Sequence, residues 1–381
     1  MSKVSVIKTS DYSSDTLKKA VENHFELLGL DKFMVPGAKI VIKPNLLLKS
    51  NPEDAVITRA ELVREVILKL KSLGAGEIVI AESPGGLYNK TRLSSVYSAS
   101  GYDSLTDIEG VSLNFDISSA VKAVPDGKLM HEFEILSPIA SADLVINICK
   151  LKTHSLTGLS GSVKNLFGTI PGLAKPEFHF RFQNQDDFCN MLVDLARCVK
   201  PAFTFVDAVY SMEGEGPSGG TPIYTGLTLA SADIYALDRT LVDLAGFTVE
   251  ETPIVKCEIE RGLAPQALSD VELVGDGSEM IGKYSFKKPE TCDIGFDSKA
   301  PKIFRKPWRY LKTKLFTPKP AVERKICIGC GRCAETCPAK TIKIVDKQAN
   351  ISYDSCIKCF CCQEMCPVRA IYVKRFLIFK L

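Results

Sequence analysis

Cysteine spacing constrains this chain more than any other feature. Cys327, Cys330, Cys333 and Cys337 precede Pro338, and the same pattern returns 29 residues later as Cys356, Cys359, Cys362 and Cys366 before Pro367. A duplicated C-x2-C-x2-C-x3-C-P is the spacing of bacterial ferredoxins that hold two 4Fe–4S clusters. Three thiolates in a tight loop bind three corners of one cubane, and the fourth cysteine, beside the proline, reaches the cluster of the other half. The expected ligand sets are therefore Cys327, Cys330, Cys333 and Cys366 for one cluster, and Cys356, Cys359, Cys362 and Cys337 for the other. Cys361 is left over. Zinc or disulfides would also use clustered cysteines, but neither accounts for the prolines, the spacing and the duplication together. Gly329 and Gly331 let the first loop wrap its sulfides and present N–H groups that raise the potential; Lys358 and Phe360 stand at the matching places in the second.

With 381 residues, of which 45% are apolar and 24% charged, the chain has material for more than one buried core. Domains are expected at 1–290, with α/β layering, and at 321–381, the two-cluster unit with a short tail. Between them, at 291–320, lies a linker whose stretch from Ala300 to Phe316 carries six lysines and arginines among aromatic and aliphatic residues and no acid. Its simplest use is to pack apolar residues between the domains while the charges stay wet; peripheral membrane contact or partner docking are the other uses. The formal charge of +3 falls slightly below zero once thiolates bind clusters, which argues against a nucleic-acid partner. No apolar run approaches the roughly 20 residues of a spanning helix, and Met1 to Ser10 lacks the pattern of a signal peptide. The expectation is a cytoplasmic protein in a reducing compartment, with Cys149, Cys189, Cys198, Cys257 and Cys292 as small buried hydrophobes.

Upstream, short β-rich runs alternate with amphipathic stretches. Strands are expected at Val4–Lys8, Lys39–Lys43, Glu77–Ala81, Leu144–Cys149, Phe203–Val206 and Leu227–Ala230. Helices are expected at Asp15–Leu28, capped by Asp15, and at Thr58–Leu73, Phe188–Val199 and Asp233–Ala245. The fold class is α/β, a layered, mostly parallel sheet with helices on both faces, plus a small α+β ferredoxin-like unit. Gly214, Gly216 and Gly219 formally match G-x-G-x-x-G, but Gly220-Thr221-Pro222 follows where a helix should open, and no phosphate-binding P-loop motif exists.

Ligands of open α/β sheets bind beyond the carboxyl ends of the strands. Polar residues collect there: Lys43-Pro44-Asn45, Glu82-Ser83, Lys150 to His154, and Asp207 followed by the glycine-rich run from Glu213. Lys43, Asn45, Lys150, Lys152, Lys164 and Asn165 are the candidate binding residues for a small anion. His154, Glu82, Asp207 and Glu213 are the candidate catalytic groups, because clustered lysines have lowered pKa values and carboxylates beside them stay ionised. Leu156 to Gly172 is glycine-rich and offers a helix start near Lys164, a second place for an anion. His179 either lines the cleft or packs in the core.

Lys43-Pro44-Asn45, Lys150-Leu151-Lys152-Thr153-His154, Lys164-Asn165-Leu166-Phe167-Gly168 and Asp207 with Met212 to Pro217 resemble the motifs of the DUF362 family, here joined to a two-cluster ferredoxin module. The resemblance covers nearly the whole chain and implies a cytoplasmic iron–sulfur protein of anaerobic-type metabolism, without assigning a substrate. The expected function is a ferredoxin-fused reductase that passes single electrons from a redox partner protein through two 4Fe–4S clusters to an anion in the cleft. The alternatives are an electron carrier or adaptor whose α/β domain binds without catalysis, and a non-redox enzyme with structural clusters. The sequence leaves open whether a flavin or further metal joins them.

Overall fold

Alternating β-branched residues build the centre of the sheet. In β2 (Ile40–Pro44), Ile40 and Ile42 enter one apolar core and Val41 another, and β3 (Ile78–Ile80) repeats the arrangement with Val79. Apolar side chains on both sides of a strand require helices on both faces of the sheet. The computed structural model, which describes residues 1–291 and 318–374, shows that architecture.

Along the chain come β1 (Ser2–Lys8), α1 (Ser14–Leu28), β2, α2 (Ala60–Ser72), β3, α3 (Lys90–Ala99), β4 (Val111–Leu113), the hairpin β5 (Ser119–Ala123) and β6 (Glu132–Leu136), and α4 (Ser137–Ala140). Next are β7 (Leu144–His154), β8 (Gly158–Ser160), α5 (Ser162–Asn165), α6 (Ala174–Arg181), α7 (Gln185–Val199), β9 (Phe203–Glu213), β10 (Thr221–Ser231), α8 (Ile234–Ala245), α9 (Pro253–Glu260) and β11 (Val271–Val274). The sheet order is β11-β1-β10-β9-β7-β2-β3-β4, with β8 on the far end of β7. Only β10 and β8 run antiparallel to their neighbours. Helices α1 and α2 cover one face; α7, α8 and α9 cover the other.

Each helix reflects its sequence. In α1, Leu17, Val21 and Phe25 fall on one stripe and are inaccessible, each contributing about 1.5–3 kcal/mol of burial. Gly29, in the left-handed region at φ 59°, ends the helix. Its N-cap position is Ser13 rather than the expected Asp15, which sits in the first turn where its charge meets the helix dipole.

Two strands run further than expected. β7 continues through Lys150 and Lys152 to His154, and β9 through Asp207 to Glu213. The polar residues remain in the ladder because their side chains find buried partners, and a register shift between Lys150 and Lys152 re-aims the end of β7. Gly214, Gly216 and Gly219 lie in the turn from β9 to β10, an antiparallel pair, and no helix follows.

The C-terminal unit pairs β12 (Lys319–Val322) with β15 (Ile371–Lys374), and β13 (Ile342–Val345) with β14 (Gln348–Ile351). The stretch Ala300–Phe316, Cys292 and the tail beyond Lys374 lie outside the described residues. Cys149, Cys189, Cys198 and Cys257 are all buried.

Candidate functional site

Burial forces the strand-end charges into pairs. At the end of β2, Lys43 Nζ lies 2.5 Å from Glu82 Oε2 and donates to Pro44 O at 2.7 Å, with lysine and carboxylate both nearly inaccessible. On β7, Lys150 Nζ is 3.0 Å from Asp207 Oδ2, and neither side chain is accessible. Asp207 also accepts from Tyr12 Oη at 2.7 Å and from the Arg59 N–H at 3.0 Å. Burial pushes Lys43 and Lys150 down and Glu82 up, while mutual attraction opposes it in each pair. The expected wall of four free lysines is thus reduced, because Lys43 and Lys150 are neutralised within the fold.

The remaining cations surround a cavity. Lys152, Lys164 and Lys175 line it together with Asn45, Asn165, Glu82, His154 and His179. The space open to the centre of a water-sized molecule is about 80 Å3, room for several waters at roughly 10–15 Å3 each. Lys152 Nζ donates to Asn45 Oδ1 at 3.0 Å and Val56 O at 2.7 Å, leaving one donor that no described residue takes up. A relay fixes that acceptor: Asn45 Nδ2 donates to Asn165 Oδ1 at 2.8 Å, and Asn165 Nδ2 to Asn147 Oδ1 at 2.7 Å. Burial, then repulsion from Lys164, lowers Lys152 to about 7.

Lys164 has no hydrogen bond or ion pair to another described residue; its Nζ stands 4.8 Å over the Phe167 ring. Lys175, whose part was not foreseen, spends its donors on Ser83 O, Ser83 Oγ and Ile170 O, at 2.7, 2.8 and 2.9 Å. Burial lowers it to about 7 as well. Gly168 makes the close packing feasible, since a Cβ there would come within 1.9 Å of Glu82 and 2.7 Å of the Lys43 ammonium.

His154 accepts from the Leu156 N–H at Nδ1, 3.1 Å, so its proton sits on Nε2, which faces Glu364 Oε1 at 3.4 Å. Burial, then Lys164, drives its pKa well below the ordinary value, so the ring is neutral. His179 stacks on Phe188 with ring centres 4.2 Å apart, and burial lowers it to about 3. It lines the cavity and packs in the core at once.

Three expected contributions fall elsewhere. Asp207 is enclosed with Lys150 and Tyr12 and does not line the cavity. Glu213 accepts from the Lys287 N–H at 2.7 Å, tying down a later segment. The helix start near Lys164 is occupied from within: Asp238 accepts from the N–H groups of Ser162 at 2.5 Å and Val163 at 2.9 Å, so that N-terminus offers nothing to an external anion.

The C-terminal unit forms one wall of the cavity. The short helix Cys361–Glu364 lies against the ends of β7 and β9: Ser218 Oγ donates to Glu364 O at 2.8 Å and Ser155 Oγ to Gln363 Oε1 at 3.4 Å. Met365 joins the apolar core that α1 and α2 also enter, passing Gly85 so closely that a Cβ there would be 2.2 Å from its sulfur. Thr336, Cys361, Glu364 and Met365 all line the cavity. Glu364 Oε1 is buried without a hydrogen bond to another described residue, and burial raises that carboxyl. Its position between two cysteines of the repeat, Cys362 and Cys366, masks it in the sequence.

Two further cavities carry the thiols. Cys327, Cys330, Cys333 and Cys366 line one; Cys337, Cys356, Cys359 and Cys362 line the other. N–H groups point at the sulfurs: Ala349 at Cys327 (3.4 Å), Ala370 at Cys366 (3.1 Å) and Thr341 at Cys337 (3.4 Å). Four thiols from both halves, with backbone donors that stabilise added negative charge, fit an iron–sulfur cluster. Cys361 lines both the second thiol cavity and the lysine pocket.

Comparison with known proteins agrees with this division. A model for a 4Fe-4S dicluster domain matches residues 319–367. The thylakoid-associated protein sll1697 of Synechocystis is 28% identical over 309 residues, covering 81% of this chain and 94% of that protein. The lactate racemase apoprotein from Thermoanaerobacterium thermosaccharolyticum superposes with a TM-score of 0.40 at 17% identity, over 61% of this chain and 55% of its own, so this chain spans about half the length of that structure. The model of the domain of unknown function DUF362 matches residues 40–243, more than half of the chain, which therefore belongs to the DUF362 family and carries a C-terminal 4Fe–4S ferredoxin-type domain.

Proposed function

We propose that the chain is an iron–sulfur oxidoreductase that reduces a small anion held between its two units. The observation that carries this reading is Cys361, a wall common to the second thiol cavity and the lysine pocket. Two 4Fe–4S clusters, held by the interleaved cysteine sets, would supply single electrons. Everything else falls to the chain's own residues. Lys164, which has no hydrogen bond or ion pair to another described residue, and Lys152, with one donor that no described residue takes up, bind the anion. The neutral His154 offers its Nε2–H as a hydrogen bond rather than as an acid. Lys152, lowered to about 7, is the better proton donor at neutral pH. Glu82 is committed to Lys43 and orients the strand ends. Glu364 and Met365, both buried, cover the side of the pocket that faces the C-terminal unit.

A cytoplasmic location belongs to the same proposal. The Synechocystis relative is described as thylakoid-associated, and among the described residues no helix is long and apolar enough to cross a membrane.

The test is an anaerobic titration of the iron-loaded chain with simple carboxylates and oxyanions, followed by turnover with a low-potential reductant. Binding that Lys164→Met and Lys152→Met each weaken at least about tenfold, with cluster absorbance retained, is the expected result. Equal binding by the variants overturns the assignment of the pocket. Binding without turnover of any bound anion leaves the carrier reading instead.

A further inference from the structure

The two thiol cavities face different surroundings. The second shares Cys361 with the lysine pocket, whereas the first shares no lining residue with it, and Cys330 at its edge is exposed. Ile328 and Ile344 line the first cavity yet remain 60% and 37% exposed. The loop bearing Ile328 and the β13–β14 hairpin form one continuous face. A Cβ on Gly329 would lie 2.4 Å from Lys347 O, and Gln348 Nε2 donates to Arg324 O at 3.1 Å.

Cations rim that face. Arg324, Lys325, Lys343 and Lys347 are exposed, and none has an ion pair with another described residue. Asp346, in the hairpin turn, is an exposed acid among them. An apolar centre with a charged rim is the anatomy of a protein interface, and a rim of four cations against one acid is net positive and steers a partner of the opposite sign. Electron exchange also demands close approach, and here the apolar residues are themselves walls of the thiol cavity.

We propose that this face docks an acidic one-electron carrier protein, which exchanges electrons with the chain at the first thiol cavity. One electron would pass from the carrier's reduced centre to the cluster that Cys327, Cys330, Cys333 and Cys366 would hold, with no bond or proton changing hands. The proposal rests on the reading that the clusters conduct toward the pocket, and its test does not involve the pocket. An anionic membrane would meet the same cations, but it gives no reason for exposed isoleucines to sit on the wall of a redox site.

The probe is an acidic plant-type 2Fe–2S ferredoxin, used with the full iron-loaded chain. Affinity is measured by titration of the two oxidised proteins, and the second-order reduction rate with the ferredoxin photoreduced. Neutral photoreduced deazariboflavin serves as a reductant that needs no docking. Lys343→Glu combined with Lys347→Glu is expected to weaken binding and slow reduction by the ferredoxin at least tenfold. Raised salt should do the same to the wild type, and reduction by deazariboflavin should be unchanged. Lys164→Met should match the wild type throughout, so loss of the pocket reading would not register here. Unchanged affinity in the charge-reversed variant overturns the proposal. So does an equal loss with deazariboflavin, which would make the lysines tuners of the cluster. Binding to phosphatidylglycerol vesicles, lost in the variant while ferredoxin affinity is unaffected, also overturns it.

Discussion

The two halves of the cysteine repeat share one backbone and face different surroundings. Gly329 and Gly331, at φ +66° and +80°, are matched by Lys358 and Phe360 at +57° and +61°. Lys340 and Arg369, each three residues past its last cysteine, both lie in the same left-handed region. The same cysteine spacing thus goes with the same conformation even where glycine is absent and the turn costs strain. Neighbouring residues set direction: Ile328 and a rim of lysines turn the first half to solvent, while Cys361, Glu364 and Met365 turn the second toward the α/β sheet.

Removing a ligand should break the comparison most severely. Cys337→Ser and Cys362→Ser come from opposite halves but line the same cavity, so both should lose about half of the bound iron and leave the same residual EPR spectrum. Cys366→Ser, beside Cys330, should leave the complementary one. If Cys337→Ser instead matched Cys333→Ser, each half would hold its own cluster and the interleaved assignment would be lost.

Next in size are the pocket lysines. A charged hydrogen bond contributes about 1.5–3 kcal/mol, so Lys164→Met should weaken anion binding by roughly tenfold to a hundredfold. Lys343→Glu, on the solvent-facing half, should leave it unchanged. Comparable effects from the two, measured by calorimetry, would mean that the halves are not functionally separate.

The pocket should also carry a pH signature that the solvent face lacks. Lys152 is lowered from 10.5 to about 7. Between those values the unfolded chain holds the proton and the native one does not, so stability should rise with pH across that window. Anion affinity should fall over the same range, approaching tenfold per pH unit. Lys152→Met should flatten both curves. A step persisting near pH 7 in that variant would point to Lys175, which is lowered similarly.

Legibility followed how local each constraint is. The cysteine spacing is a pattern within one loop, and the α/β layering shows in the alternation of Ile40, Val41 and Ile42; both can be read along the chain. What pairs across it cannot. Lys43 and Glu82 meet from neighbouring strands, Lys150 and Asp207 from β7 and β9, and Asp238 reaches a helix start 76 residues away. Grouping these residues at strand ends was possible from sequence, but their mutual neutralisation depends on register. Sequence alone ends β7 and β9 too early, because lysine and aspartate read as loop residues until their buried partners are known. Glu364 and Met365 stayed hidden inside the cysteine repeat, where ligand spacing draws the attention.

The smallest effects compare the halves at single backbone positions. Gly331 has nothing within 4 Å of an added Cβ, so Gly331→Ala should cost only the left-handed strain, about 1–2 kcal/mol. Lys340→Gly should do the reverse, although a freer unfolded chain limits the gain to roughly 0.5–1 kcal/mol. Arg369→Gly relieves the same strain but also removes a half-exposed ion pair with Asp54, 3.7 Å away across the two units, and such pairs contribute at most about 1 kcal/mol. Its net effect should therefore be close to zero. Anaerobic denaturant midpoints for Lys340→Gly and Arg369→Gly measure the difference: equal gains would show that the ion pair adds nothing, and a net loss in Arg369→Gly that it helps to hold the second half against the sheet.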